Sequence, residues 1–447
     1  LMLLVVVTLV IGRLPKIDVG HTDQYRRRRA INWLCAGMTY AFLYFGRYNL
    51  TAFKNAVGMS HDAYGTIDMV GSITYGVAFL INGPLTDIWG GRRALLISAG
   101  GAIVMNVGLG LLVREGWNDG LVTTFTILYA LNMYFQSFGA ASIVKVNSSW
   151  FHVRERGTFG GIFGTLISLG GSFAYVCGRT IAEAFPTAPE WVFLIPPICL
   201  AVAFVLDFFL LRDHPSEAGH PDFDTGDASS GDDGPRLPVR QVAVKMLTNP
   251  VILTIAFIEF CSGYLRQAIM KWYQPYAKGV GLTEGFVNQN WGMLLCIAGI
   301  LGGVFAGVIS DHLFGSRRGP VSTILYAGMV VGSAVMFGVI AHPALGWVVI
   351  FMSLCIIGVH GMLSGTASMD FGGKKNVGVA VGIIDGFVYL GTAAQAGILK
   401  NVLPDGQAAK DMHAWWVWPA AMLPVAIMGT LLATRVWNAR PKGKGAH

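Results

Sequence analysis

Apolar runs of about 20 residues or more recur along this chain, each ended by a short charged or Gly/Pro-rich break. A helix at 1.5 Å per residue crosses ~30 Å of hydrocarbon in about 20 residues. Lipid offers the backbone no hydrogen-bond partner, so runs of this kind must be helices. The spacing predicts twelve of them, at about 30–53, 65–88, 94–113, 121–149, 158–182, 190–211, 250–277, 288–310, 320–341, 345–368, 377–400 and 413–434. The 447 residues are 53% hydrophobic and 13% charged, and the mean hydropathy is +0.55, which excludes a water-soluble fold. The expectation is an all-α integral membrane protein.

The breaks alternate in charge. One set holds Arg26 to Arg29, Arg92, Arg93, Arg154, Arg156, Arg212, Arg236, Arg240, Lys245, Arg317, Arg318, Lys374, Lys375, Arg435, Arg440, Lys442 and Lys444. The other holds only Lys54, Arg114, Arg179, Lys278, Lys400 and Lys410. This asymmetry puts both termini in the cytoplasm, in keeping with an even number of crossings. Topology thus accounts for the net charge of +7, and nucleic acid is not required as a partner. The opening Leu1 to Gly12 is too short to span and is shaped like a signal h-region or a trimmed upstream segment. The six cysteines lie in apolar runs without C-x-x-C spacing, so they read as packing residues, and no metal or cofactor is expected.

Residues 212–249, rich in Gly, Asp, Ser and Pro at their centre, form a linker. The chain thereby divides into an N-terminal segment 1–29, a six-helix bundle 30–211, a second bundle 250–434 and a basic tail 435–447. An internal repeat agrees with this division. Gly83-Pro-Leu-Thr-Asp87-Ile-Trp-Gly90-Gly91-Arg92-Arg93 follows the second run, and Gly307-Val-Ile-Ser-Asp311-His-Leu-Phe-Gly315-Ser-Arg317-Arg318 follows the eighth. The aspartate can cap or pair with a neighbouring helix while the arginines hold headgroups, contacts able to form in one state and break in another. The plain alternative is a basic loop of the cytoplasmic face. Parallel repeats about an axis along the membrane normal place a substrate between the halves.

Two arginines, Arg47 in the first run and Arg266 in the seventh, lie deep in apolar sequence at matching places. An intramembrane arginine costs roughly 2.5–3.5 kcal/mol or more, so it marks a partner, a cavity or an anionic ligand. Guanidinium matches phosphate or carboxylate oxygens in a bidentate fork and stays charged when desolvated. Tyr40, Tyr44, Tyr75, Tyr264 and Tyr389 could complete such a pocket. The structural alternative is an ion pair with Asp68, Asp207, Glu259 or Asp385.

The repeated Gly-Asp-Gly-Arg-Arg loop resembles the signature of the major facilitator superfamily, which implies two six-helix bundles related by pseudo-symmetry. Further motifs resemble the organophosphate:phosphate antiporters within it, the glycerol-3-phosphate, hexose-phosphate and sugar-phosphate exchangers. They are Gly46-Arg47-Tyr48-Asn49, Tyr264-Leu-Arg266 with Trp272 and Tyr276, and Phe138 to Lys145 with Trp150-Phe151 and Glu155-Arg156-Gly157. Arg212-Asp213-His-Pro215-Ser-Glu217-Ala-Gly219 and Lys374-Lys375 leading to Asp385-Gly386 extend the likeness over about residues 30 to 430. The resemblance implies that Arg47 and Arg266 bind a phosphoryl group and that inorganic phosphate exchanges against an organic phosphate as the halves rock. Tyr48, Phe79 and Ile167 depart from a lysine of the family and from a lysine and a histidine of its glycerol-3-phosphate carriers. The phosphate anchor therefore carries over and glycerol-3-phosphate itself does not. Lys271, about 140° round the helix from Arg266, is expected to line the outer mouth or to snorkel.

Lys145 reads equally as a headgroup-directed side chain or a cavity charge. Asp385, on the small-residue stripe Gly378, Gly382, Gly386, either neutralises a binding arginine between turnovers or hydrogen-bonds at a packing site. His360 offers a proton site, with a hydrogen-bonded core histidine as the plainer alternative. The sequence thus predicts a monomeric, multi-pass transporter of the cell (inner) membrane that exchanges a phosphorylated metabolite for inorganic phosphate. A proton-coupled carboxylate carrier and a transporter-fold receptor for a sugar phosphate are the other readings. No nucleophile, metal or nucleotide constellation of an enzyme is found, and no G-x-x-x-x-G-K-[ST] loop occurs.

Overall fold

In a computed structural model the described residues are 20–152, 155–226, 237–314 and 317–439. Within helices, the side chains of His61, 156–167, Val239, Val308, Asp311, His312, Thr366 and Phe371 are also outside the description. Expectations for Leu1 to Gly12, Arg154, Arg156, Arg236, Gly315, the side chains of Ile167 and Asp311, and the tail beyond 439 therefore lie outside the described residues.

The described residues form helices and no strands: α1 (Asp23–Val57), α2 (His61–Trp89), α3 (Gly91–Val113), α4 (Val122–Gln136), α5 (Phe138–Ser148), α6 (Arg156–Ala184) and α7 (Trp191–Leu210), then α8 (Val239–Leu247), α9 (Pro250–Gly279), α10 (Trp291–Leu313), α11 (Arg318–Val339), α12 (Leu345–His360), α13 (Ser368–Val402) and α14 (Val417–Arg435). Among the described residues nine helical stretches are long and apolar enough to cross a membrane, and Trp291–Gly307 is a shorter apolar helix.

Differences from the expected runs have local causes. Helix α1 starts at Asp23 because Thr22 caps it, accepting from the Tyr25 N–H at 3.2 Å. The fourth run is divided at Ser137, whose hydroxyl donates back to the Tyr134 carbonyl at 2.7 Å, a bond that bends helices. After His360 the chain widens into a π-helical segment, Gly361–Ala367. It then breaks at Gly373, where φ is 57° and ψ 175°. Helix α8 forms inside the stretch read as linker, because Val242 and Met246 share a face that packs on Ile252, Ala256, Val379, Ala380 and Ile383.

Helix contacts fall into two groups. In the first, α1 packs on α6 and α7, α2 on α4, and α3 on α4 and α7. In the second, α9 packs on α12, α13 and α14, α10 on α12, and α11 on α12 and α14. The groups meet where α2 lies along α13 and α6 along α10. Glycine allows the closest approach. A Cβ on Gly382 would stand 2.5 Å from the Phe79 carbonyl oxygen, and one on Gly76 would stand 2.9 Å from that of Gly386.

Candidate functional site

Arg47 on α1 and Arg266 on α9 are 3% and 2% exposed, at the centre where the groups meet. Arg47 donates from Nε to Gln136 Oε1 at 3.0 Å, from Nη2 to the Tyr75 hydroxyl at 2.8 Å, and from Nη1 to the Tyr389 hydroxyl. Its guanidinium also lies 4.4 Å from the centroid of the Tyr75 ring and 4.8 Å from that of Tyr44. All of these partners are neutral. Arg266 is barer still, since its Nε and Nη2 have no hydrogen-bond partner among the described residues.

The carboxylates that could have paired with the arginines are engaged elsewhere. Asp68 holds Lys271 at 2.6 Å, and Asp207 accepts from Thr39 at 2.5 Å. Glu259 lies 2.8 Å from His360 Nδ1, and Asp385 accepts from Ser364 at 2.5 Å.

Two small cavities flank the arginines, each of about 10 Å3, the threshold for a single water. The first is lined by Arg47, Tyr48, Asp68, Gln267, Lys271 and Tyr389 among others. The second is lined by Tyr44, Tyr48, Ser168, Arg266, Met270 and Ile357 among others. Tyr48 faces both, and Gln267 Nε2 donates to its hydroxyl at 2.9 Å across the groups.

The structure therefore gathers Arg47, Arg266, Tyr44, Tyr75 and Tyr389, with Tyr40 stacked edge-on against Tyr44 at 5.2 Å. It does not bring Lys145 or Tyr264 to either cavity. Asp385 and His360 lie off them too, in the second group. Lys271 does not snorkel: it is 6% exposed, ion-paired with Asp68 and lines the first cavity with Arg47, because α9 is wrapped by α12, α13 and α14 and meets α1 and α2 on its remaining side. Sequence reasoning passed over Gln136 and Gln267, each an isolated amide in an apolar run. It noted Tyr48 only as a departure from the family pattern.

Helix α2 carries the contacts on either side of this centre. Tyr75 bonds Arg47; Asp68 is seven residues earlier and Asp87 twelve later, roughly 10 and 18 Å along the helix. Asp68 bridges to Lys271 in the second group, and Asp62, further out, bridges to Lys400 at 3.1 Å. At the linker end, Asp87 accepts from Lys145 Nζ at 2.6 Å and from the Val379 N–H of α13 at 2.9 Å, while Lys145 also donates to the Lys374 carbonyl at 2.7 Å. The close approach of Gly83 to Gly378 lies beside these contacts. A cavity of about 530 Å3 opens here, lined by Asp87, Arg92, Arg93, Lys145, Asp213 and Lys374 among others.

The second loop repeat has different contacts. Arg318 Nη1 donates to Ser310 at 2.8 Å and its Nε lies 3.9 Å from Asp370, while Arg317 Nε donates to the Phe314 carbonyl at 3.0 Å. Gly307 is on α10 just before this loop. In the linker, burial pushes the Asp213 carboxyl above the ordinary carboxylate range. The Arg92 N–H, donating to it at 2.8 Å at the start of α3, works the other way.

A curated glycerol-3-phosphate transporter of Bacillus subtilis (strain 168) is 27% identical over 411 residues, 88% of this chain and 90% of that protein. The membrane sensor protein UhpC of Escherichia coli (strain K12) is 25% identical over 405 residues, covering 87% and 88%. The hexose-6-phosphate:phosphate antiporter of the same strain is 28% identical over 429 residues, covering 90% and 88%. Residues 32–396, from α1 into α13, match the description of the Major Facilitator Superfamily, and the chain belongs to that family.

Proposed function

We propose that the chain exchanges a phosphorylated small metabolite for inorganic phosphate across the cell (inner) membrane by alternating access. It would do so as a monomer, with twelve crossings, both termini in the cytoplasm, and bundles 30–211 and 250–434 as the rocking halves. One observation carries this reading: two buried guanidinium groups, one from each half, have no carboxylate partner among the described residues. Buried charges are kept when a ligand completes them, and a phosphoryl dianion supplies both the charge and the bidentate oxygens. The relatives named for glycerol-3-phosphate and hexose-6-phosphate transport are consistent with such a ligand.

Between turnovers Tyr75, Tyr389 and Gln136 hold the Arg47 fork in place. A pocket that encloses a small organic ligand needs roughly 300 Å3 or more, so the halves must part to admit one. On one side that parting breaks Asp68–Lys271. On the other it breaks the contacts of Asp87 and Lys145 with α13, the switch in which Gly83, Arg92, Arg93, Gly307, Asp311, Arg317 and Arg318 take part. An empty carrier closing on two unneutralised arginines is opposed electrostatically, which suppresses downhill leak of phosphate.

The test is uptake of radiolabelled phosphate into proteoliposomes loaded with phosphate or with none, with organophosphates outside as competitors. Uptake that requires internal phosphate is expected, and the strongest competitor names the organic group. The likeness to a membrane sensor favours one second reading, a receptor for a sugar phosphate. It predicts competitor binding with no counterflow under either loading.

A further inference from the structure

Outside the arginine pocket, one cluster of titratable side chains is built within the second group of helices. Glu259 on α9 is 0% exposed and its Oε2 lies 2.8 Å from Nδ1 of His360, the last residue of α12. Its other oxygen, Oε1, has no hydrogen-bond partner among the described residues. The charged groups facing this pair are Arg266, two turns further along α9, and Asp385 on α13. The uncharged titratable neighbours are the Cys261 thiol on α9 and Tyr326 on α11, whose hydroxyl donates to the Ile258 carbonyl at 2.5 Å. Asp385 is held at 2.5 Å by Ser364, which lies in the π-helical segment directly after His360. Short π-helical stretches inside α-helices often mark functional positions.

We propose that Glu259 and His360 form a proton-binding site whose occupancy is linked to the anion on Arg266, so that each phosphoryl group crosses together with a proton. The inference rests on the phosphate reading above. A carboxyl and an imidazole in hydrogen-bond contact share one proton and are neutral as a pair, and one more proton leaves a neutral carboxyl beside an imidazolium. The arginines bring two positive charges and Asp385 one negative. A phosphoryl dianion turns this single net positive charge into a net negative one, and the additional proton restores neutrality. In a low-dielectric interior the two binding events therefore favour each other, and the linkage is reciprocal. The proton comes from water on the open side and returns to water when the anion leaves on the other. Ile357, one turn before His360, lines the same cavity as Arg266, which puts the pair a single helical turn from the pocket.

The experiment is infrared difference spectroscopy on the reconstituted full chain, titrated with pH and then with inorganic phosphate well above its second ionisation. Phosphate binding is measured in parallel by a radiolabel. Wild type should show a protonated-carboxyl band that grows or shifts as phosphate binds, since the added proton lands on Glu259 or on the imidazole hydrogen-bonded to it, with about one proton taken up per phosphate. Its phosphate affinity should weaken about tenfold per pH unit above that titration. Glu259→Gln should remove the band, and His360→Asn should shift its titration, while both still bind phosphate with a flattened pH dependence.

Phosphate binding in wild type with no change in the band overturns the proposal, as does a band that survives unchanged in both variants. Should wild type bind no phosphate, the pH titration alone decides. A titrating band that Glu259→Gln removes then supports the proton site and overturns only the phosphate reading. A band that does not respond to pH overturns the proton site itself.

Discussion

Arg266 and Lys271 are two buried cations five residues apart on α9, and they have been treated in opposite ways. Lys271 is closed off by Asp68 of the other group at 2.6 Å, whereas Arg266 has two guanidinium nitrogens without a partner among the described residues. The fold could evidently supply a carboxylate at this depth, and supplied it to only one of the two. A completed pair contributes to closure of the interface between the groups. An uncompleted cation stores an unfavourable charge that an incoming anion relieves, so binding there gains what folding gave up.

The largest expected effect breaks the completed pair. Asp68→Asn strands the Lys271 charge in the interior, at a cost of about 3–5 kcal/mol. Thermal unfolding in detergent should show a clear loss of stability, and adding Lys271→Met should restore most of it. The same logic applied to Arg266 reverses the sign: Arg266→Met removes an unpaired charge, so stability should hold or rise while phosphate exchange disappears. A destabilised Arg266→Met protein would show that Arg266 has a structural partner after all, and the contrast along α9 would collapse.

A gentler change sharpens the comparison. Arg266→Lys and Arg47→Lys keep the charge and lose the planar fork. With a charge-assisted hydrogen bond at about 1.5–3 kcal/mol, exchange should fall about 10- to 100-fold in each. Wild-type uptake in either variant would remove that arginine from phosphate binding.

Much of this was legible before any coordinates. The apolar runs located most of the helices to within about four residues, while α1 and α13 begin seven and nine residues before their runs. The glycines at 378, 382 and 386 announced a close helix approach that the α2–α13 contact makes through backbone carbonyls. Partnership was not legible, because it depends on which helix lies opposite which. Asp68 and Lys271 are 203 residues apart, and nothing local to either names the other. The helical wheel set Lys271 away from Arg266, correctly as an angle. The expectation of snorkelling failed because a helix wrapped by neighbours has more than one interior face. Helix α8 was missed because a Gly/Asp-rich stretch just before it masked its short apolar stripe.

The smallest expected effect concerns how Arg47 waits for its ligand. Tyr389 comes from the second group and takes the Nη1 donor of Arg47, while Tyr75 and Gln136 of the first group take Nη2 and Nε. A phosphoryl group that claims the fork must displace at least one of these partners, and among the described residues Tyr389 alone hydrogen-bonds Arg47 from the opposite half. Tyr389→Phe keeps the ring over the guanidinium and deletes only the competing oxygen. A neutral hydrogen bond contributes about 0.5–1.5 kcal/mol, so the apparent affinity for phosphate should rise about 2- to 10-fold. Tyr75→Phe, within one half, should raise affinity similarly but leave the empty carrier's switching unchanged. Affinity and phosphate leak from loaded vesicles into phosphate-free medium, measured side by side, separate the two tyrosines. A fall in affinity for Tyr389→Phe would mean that its hydroxyl turns from Arg47 to the phosphoryl oxygens when the ligand arrives. Tyr389 would then be a ligand of the anion and not a stand-in for it.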